Sequence, residues 1–422
     1  MTFGACAVPA VSSSPITVLS RQLAPLGEVA PPARAGLLEV LESVPDPRKK
    51  RGVRHRFAAI LFVSVCAVVS GARSFAAIAE WAADAVEDTL SGMGIGAPDA
   101  STIRRALSTL SGDGFDIAIG GFLTGRLAAD RATAATVKAD AAGGAGAGRR
   151  MRRHAIAVDG KVLRGSRTSG VDADNPARML MACLDHNAGV TLGQVEISEK
   201  TNEIPMFSTL LDQIDDLTDV VVTADALHAQ REHAEYLHRR DAHYVLTVKG
   251  NQQSLRRQLA GQPWKDVPVG HRETDTSHGR TVTRTYKVIT IAAGILFPHA
   301  AQAVQTTRTR KPKSKNKRGS RRTQRETVYA ITSLTAEQVS PAELARYIRG
   351  HWHVENKLHW VRDVTMGEDA SQITTGAGPR IMAGIRNLAI SLLRLAGHTN
   401  IAKALRHNAR NPKLAITLVL TS

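Results

Sequence analysis

The chain has 422 residues, 43% apolar and 22% charged, which excludes a wholly disordered chain and predicts two or three packed units. Lys and Arg number 55 against 38 Asp and Glu, a formal charge of +17 that points to a polyanionic partner, nucleic acid ahead of anionic membrane. Three scattered cysteines (Cys6, Cys66, Cys183) with no CxxC pair argue against a disulfide scaffold or zinc ribbon and fit a reducing, cytoplasmic setting.

Residues 1–36 are rich in Ala, Pro and Ser without periodicity and read as a loosely ordered tail; they lack the basic start and apolar stretch of a secretory signal. Residues 37–138 carry helical spacing: GLLEVLESV, then FAAILFVSVCAVV (57–69), then Ser74 as N-cap of FAAIAEWAADAV, then Ser101 opening TIRRALSTL. The 57–69 run is shorter than the ~18 residues of a membrane span, so a buried helix is expected within a small N-terminal helical, DNA-binding domain. Residues 139–153, Gly- and Ala-rich with a basic end, read as a flexible linker.

From 154 to 265 the pattern changes to short β-type runs, HAIAVDG, ARMLMACLDH, VTLGQVEIS, DVVVTADA and AHYVLTVKG. IPMFSTLLDQI, with Pro205 in its first turn, and AQREHAEYLHRR read as helices between the last three strands. The order β-β-β-α-β-α-β is that of an α/β, ribonuclease-H-like layered sheet. Residues 266–335 look like a mainly β insertion, with TVTRTYKVITI and TVYAITSL as strands and, from Arg308 to Arg325, a run holding ten Lys or Arg and no acid, read by default as a solvated loop and, beside a DNA enzyme, as a nonspecific phosphate clamp. Residues 336–422 return to helical spacing through ELARYIRGHWHVENKLHWVRDV, a polar GEDASQITTGAG loop, RIMAGIRNLAISLLRLAG and a last segment near 403–406.

Two carboxylates stand at strand ends: Asp159 after HAIAV, and Asp225 after VVVTA. Such positions open onto the ligand-binding edge of an α/β sheet, although either Asp alone equally fits a strand-ending turn. Together they repel unless a divalent metal neutralises them, and all-oxygen sites select magnesium or manganese. Glu355 is the best third acid, with His351 and His359 four residues to either side on one helix face. Two alternatives stay open there: an amphipathic helix packing Trp352 and Trp360, or a zinc stripe of His351, Glu355 and His359, although no HExxH is present.

VDGKVLRG around Asp159, KTNEIP (200–205), ADALHAQ around Asp225, YVLTVKGNQ (244–252), HGR (278–280) and HWHVENKLHWVRDVTMGED (351–369) together resemble the DDE transposases of bacterial insertion sequences. The closest group is the one containing the H-repeat-associated proteins, within the IS-four-like superfamily. DPRKKRGVRHRFAAIL, the 74–81 segment and PDASTIRRAL extend the resemblance over most of the chain. It implies a ribonuclease-H-like core with a β insertion between the second Asp and the Glu, and Asp159, Asp225 and Glu355 as the catalytic, metal-holding triad. In the usual signature around the third acid, the Tyr and Arg positions here hold Ile348 and His351, and Arg362 stands in place of Lys. That departure puts the terminal-phosphate contact in question, with Tyr347 and Arg349 as nearby substitutes.

The implied activity is a Mg2+-dependent transposase, with Mn2+ able to substitute, that cleaves and joins DNA through two metals ~3.5–4 Å apart. By analogy Asp159 bridges the metals, and Asp225 and Glu355 each hold one. Lys161, Arg164, Lys249, Arg280, Arg349, His351, Trp352 and Arg362 are candidate contacts to DNA, as are Trp360 for base stacking and Arg104 and Arg105 for end-sequence reading; taken alone, such residues are more often ordinary surface charges or core aromatics. The expected partner is double-stranded DNA, as terminal inverted repeats and target, bound by a homodimer in the bacterial cytoplasm at the nucleoid. Three other readings remain: an inactive DNA-binding derivative of a transposase, a ribonuclease-H-like nuclease without strand transfer, and a zinc hydrolase.

Overall fold

The computed structural model describes residues 36–51, 53–141, 152–167, 177–198, 202–277, 280–292, 294–312 and 323–422. The expected tail (1–36) lies almost wholly outside them, as do most of the 139–153 linker, His278 and Gly279, and the centre of the basic run.

The N-terminal part is helical: α1 (Leu37–Ser43), α2 (Phe57–Val69), α3 (Phe75–Ala85), α4 (Ala100–Ser108) and α5 (Gly112–Ala141). Ser74 caps α3 by accepting from the Ala77 amide at 3.2 Å, as its position predicts. The α4 cap is Asp99, not Ser101: its carboxylate takes the Thr102 amide at 2.8 Å and the Ser101 hydroxyl at 2.7 Å. A carboxylate two residues earlier outcompetes the hydroxyl because it also suits the positive end of the helix dipole.

Strands β1 (Ala155–Val162), β2 (Met179–Asp185) and β3 (Thr191–Ile197) form an antiparallel meander, followed by α6 (Glu203–Leu211), β4 (Val221–Ala224), α7 (Arg231–Arg239), β5 (His243–Val248) and α8 (Gln253–Ala260). β4 pairs parallel with β1, and β5 with β4, so the spatial order is β3-β2-β1-β4-β5, the ribonuclease-H-like arrangement. Near-continuous apolar runs make β1, β4 and β5 strands buried on both faces. Ala155, Val221 and Val245 pack in one cluster with Leu344 and Tyr347 of α9 (Pro341–Gly350). Their alternating neighbours Ile156, Val222 and Leu246 turn to the opposite layer, where Phe207 and Leu210 of α6 and Leu237 of α7 are buried.

The insertion is a four-stranded ribbon, β6 (His271–Ser277), β7 (Arg280–Thr290), β8 (Gln302–Pro312) and β9 (Gln324–Thr332), continuous with the core because β9 pairs antiparallel with β5. The expected solvated loop is therefore strand at both ends, with Arg308, Arg310 and Lys311 in β8 and Arg325 in β9. The TRTR alternation lets threonines and arginines take opposite faces of a ladder that needs no apolar core on either. Register fixes where the ribbon points: Val248 at the end of β5 lies opposite Tyr329, Tyr329 opposite Gln305, and Gln305 opposite Lys287. Residues 324–328, 306–312 and 280–286, with all of β6, thus run past the C-terminal end of β5, a reach of about 20 Å.

After α9 come π-helical turns at Val354–His359 and Val361–Thr365, then α10 (Gly378–Leu395), α11 (Ile401–Asn408) and α12 (Pro412–Leu420), the last unforeseen in sequence. α2 is buried along all but one of its residues and packs on α10 and α12, so the first and last helices share one core. Among the described residues no helix is long and apolar enough to cross a membrane.

Candidate active site and metal centre

Asp159 lies on β1 and Asp225 directly follows β4; Val158 pairs with Ala224 in the parallel ladder, so the two acids occupy adjacent register positions at one sheet edge. Asp225 ends its strand as the cap of a short 3-10 turn, accepting from the Leu227 amide at 2.8 Å. Glu355 arrives from the other direction, on the π-helical turn behind α9 that packs on β1 and β2. A π turn inserts one residue per turn and re-aims side chains, a feature concentrated at functional sites.

His359 sits between the acids, its Nδ1 3.7 Å from Asp159 Oδ2 and 3.6 Å from Glu355 Oε2. Among the described residues, Asp159, Glu355 and His359 form the group whose donor atoms all lie within 4.8 Å of one another, and Asp225 falls outside it. Burial, then the charge of Glu355, with Asp225 and Glu203 adding to it, pushes the Asp159 carboxyl up to about 7 against the Gly160 amide that donates to it. The imidazole of His359 beside it holds Glu355 below its usual range. Crowded carboxylates that force one of their number towards protonation are short of positive charge, and their oxygens suit a hard divalent cation. The donor set therefore fits such an ion, with an imidazole nitrogen beside the oxygens.

The sequence-predicted contacts fall into three places. Lys249 follows β5 at the end of the sheet that carries the acids, Arg164 approaches Asp369 at 3.6 Å, Trp352 is exposed, and Trp360, also exposed, lines a separate cavity with Lys357, Arg394 and His398. Lys161 and His351 are turned inward. Lys161 is 8% exposed with its Nζ 2.5 Å from Asp363, and His351 binds the Thr223 backbone beside Asp225, where burial lowers its pKa to about 4. Of the stripe of His351, Glu355 and His359, the last two come together with Asp159, whereas His351, at the end of α9 before the π turn, lies towards Asp225 and outside that group. Arg280 stands exposed on the ribbon, Arg349 ties α9 to β6 through Glu273 at 2.8 Å and Asp275 at 3.2 Å, and Arg104 and Arg105 are exposed on α4 in the N-terminal helical part.

Arg362 departs from its expected DNA-facing position. It is wholly buried, its guanidinium 2.7 Å from Glu368 and 3.2 Å from Asn387, while Arg386 takes the same Glu368 from the other side at 3.1 Å. Two arginines on one interior carboxylate lock the polar loop after the π turns onto α10, and leave Arg362 no surface to offer a phosphate.

Sequence reasoning missed Glu203 as a member of this edge and weighed His359 only in the zinc stripe. Glu203, in the first turn of α6, accepts from His228 Nε2 at 3.2 Å, and adds its charge to Asp159.

Residues 150–392 match the family described as the transposase DDE domain, and residues 38–123 match the DDE_Tnp_1-associated family. The chain is 29% identical over 371 residues to "Putative transposase YncI" of Escherichia coli O157:H7, covering 85% of this chain and 87% of that protein. It is 28% identical over 372 residues to "H repeat-associated putative transposase YhhI" of Escherichia coli (strain K12), covering 85% and 90% respectively. Among solved structures, a piggyBac transposase synaptic complex with hairpin DNA aligns at a TM-score of 0.38 and 10% identity over 87% of this chain and 75% of the other, a distant likeness only.

Proposed function

Because the chain belongs to the DDE transposase family, we propose that it binds the ends of its own insertion sequence and catalyses divalent-metal-dependent DNA cleavage and strand transfer. The observation that carries this reading is the convergence of Asp159, Asp225 and Glu355, from three separate elements, on one edge of the sheet. Asp159 and Glu355, with His359 beside them, would hold the cation, and Asp225 would serve from the adjacent strand end. When bound, Mg2+ or Mn2+ would acidify the attacking water or 3′-hydroxyl and neutralise the scissile phosphate.

The chain's own residues supply the rest. His359, buried and fixed between Asp159 and Glu355, orients both carboxylates. Lys161, held by Asp363, keeps a positive charge near Glu355 and so favours its ionised, ligating form. Lys249, Arg164 and the exposed Trp352 are available to grip and stack DNA at the edge. Arg280, Arg284, Arg308 and Arg310 on the projecting ribbon extend a cationic path beyond it. Double-stranded DNA is the partner in this reading, with a homodimer needed to hold two ends together, in the cytoplasm at the nucleoid.

The test is magnesium-dependent cleavage of the host element's terminal DNA by wild type and by Asp159→Ala, Asp225→Ala and Glu355→Ala, each checked for folding and DNA binding. Wild type is expected to cut, and each variant to bind yet cut only at background. Wild type that binds but never cuts with magnesium or manganese would mark an inactive DNA-binding derivative. Cutting without joining to a free 3′-hydroxyl would mark a nuclease.

A further inference from the structure

Glu203 reaches the acidic edge from the layer opposite Glu355. Its helix α6 is capped by Asn202, whose side chain accepts from the Ile204 amide at 3.0 Å, and is anchored on β2 and β3 by the buried Phe207, Leu210 and Leu211. The carboxylate lies over the end of β1, directly against Gly160: a Cβ at that position would fall 2.3 Å from Glu203 Oε1. A side chain there would displace the carboxylate, so the glycine beside Asp159 is the cradle that admits it in this position.

The other oxygen is held by His228, which is 1% exposed and lies in the turn that Asp225 caps. His233 fastens the two pieces together, one ring nitrogen 3.1 Å from the His228 carbonyl and the other 2.9 Å from the Ile204 carbonyl, with Phe207 stacked on it at 4.1 Å. The turn after Asp225 and the first turn of α6 are thus built as one unit. Its outcome is a fourth carboxylate beside an edge that already holds three, its charge felt at Asp159 although, like Asp225, it lies outside the close group of Asp159, Glu355 and His359. In a merely structural site this arrangement is costly, since each added negative charge repels the others; a cation among them reverses the sign.

We propose that Glu203 is a further metal-holding carboxylate of this centre, approaching the cation from the α6 layer, with Gly160 and His228 as its positioning residues. The inference rests on the reading of the acidic edge as a divalent-metal site. It accounts for why a glycine follows Asp159 and for why a buried histidine sits in the turn after Asp225.

The experiment is calorimetric titration of the full-length, DNA-free protein with manganese, alongside melting temperatures, for wild type, Asp159→Asn, Glu203→Gln and Gly160→Ala. We expect Glu203→Gln to weaken manganese binding about 10-fold or more, with no loss of metal-free melting temperature. Gly160→Ala, which displaces the carboxylate without altering it, should weaken binding in the same direction. If Glu203→Gln and Gly160→Ala bind manganese as wild type does while Asp159→Asn loses it, Glu203 is a structural partner of His228 and the inference falls alone. If wild type binds manganese no better than Asp159→Asn, the metal-site reading falls and takes Glu203 with it.

Discussion

At the scale of single residues, burial lowers the pKa of His351 and His359 beside the acids and of His186 against Thr223. His186 is 5% exposed, with its Nε2 2.8 Å from the Thr223 hydroxyl, His353 against its ring and Gly350 packed on its Nδ1. Burial, then the neighbouring His353 and His351, lowers its pKa to about 3. The folded value lies below the unfolded one of about 6.5, so above that pH the group costs nothing; as pH falls through it the unfolded chain takes the proton first and stability declines. At pH 5 the loss from His186 is about 2 kcal/mol. Thermal melts between pH 7 and 5 should show this decline in wild type and a shallower one in His186→Asn; equal slopes would place the sensitivity elsewhere. The placement of Asp159 and Asp225 at strand ends was legible at this scale, because an Asp after an apolar run marks a strand end, whereas Glu355 was picked out from a helical segment by the resemblance. Glu203 was not, since its place depends on the absent Cβ of Gly160 and on His228, contacts between layers that no local pattern encodes.

At the scale of elements, the strands of the core were readable because β1, β4 and β5 are apolar on both faces, whereas β8 reads as a charged loop and becomes a strand only through its partners. Those partners create an unusual local charge. Arg284 and Arg308 stand directly opposite each other, and Arg310 follows on the same face. Arg284 finds Asp275 at 2.8 Å, while burial and then the charges of Arg310 and Arg284 depress the Arg308 pKa. Acids close this row at both ends, Glu273 opposite Arg284 and Glu326 opposite Arg308, so Arg310, which faces Val282 and Gln324, is the cation most open to a DNA phosphate. Replacing Arg284, Arg308 and Arg310 by Gln should flatten the dependence of log affinity on log salt by about 0.9 for each phosphate that is no longer neutralised. Anisotropy titrations of a terminal DNA duplex across a salt series will read this, and an unchanged slope would take the ribbon out of the interface.

At the scale of the whole molecule, the N-terminal helices do not form a detached module. The composition shift near residue 138 suggested a boundary, yet α2 is enclosed by α10 and α12, and Arg380 of α10 clamps Asp113 and Asp116 of α5 together with Glu196 of β3. Sequence could not disclose this, because the clamp joins α10 to aspartates of α5 more than 260 residues away along the chain. The pairing of β5 with β9 has a consequence of the same kind. The insertion is also the cover of β5, the last strand of the core sheet. A chain shortened from 266 to 335 would keep every triad residue but leave the apolar β5, with Val245, Leu246 and Val248, as an open edge whose free amides and carbonyls template pairing with another copy. Light scattering should find such a chain aggregated even where its helices remain folded. A minimal catalytic core is therefore closed to simple trimming: the ribbon that overhangs the acids also keeps the sheet from adding strands borrowed from its neighbours.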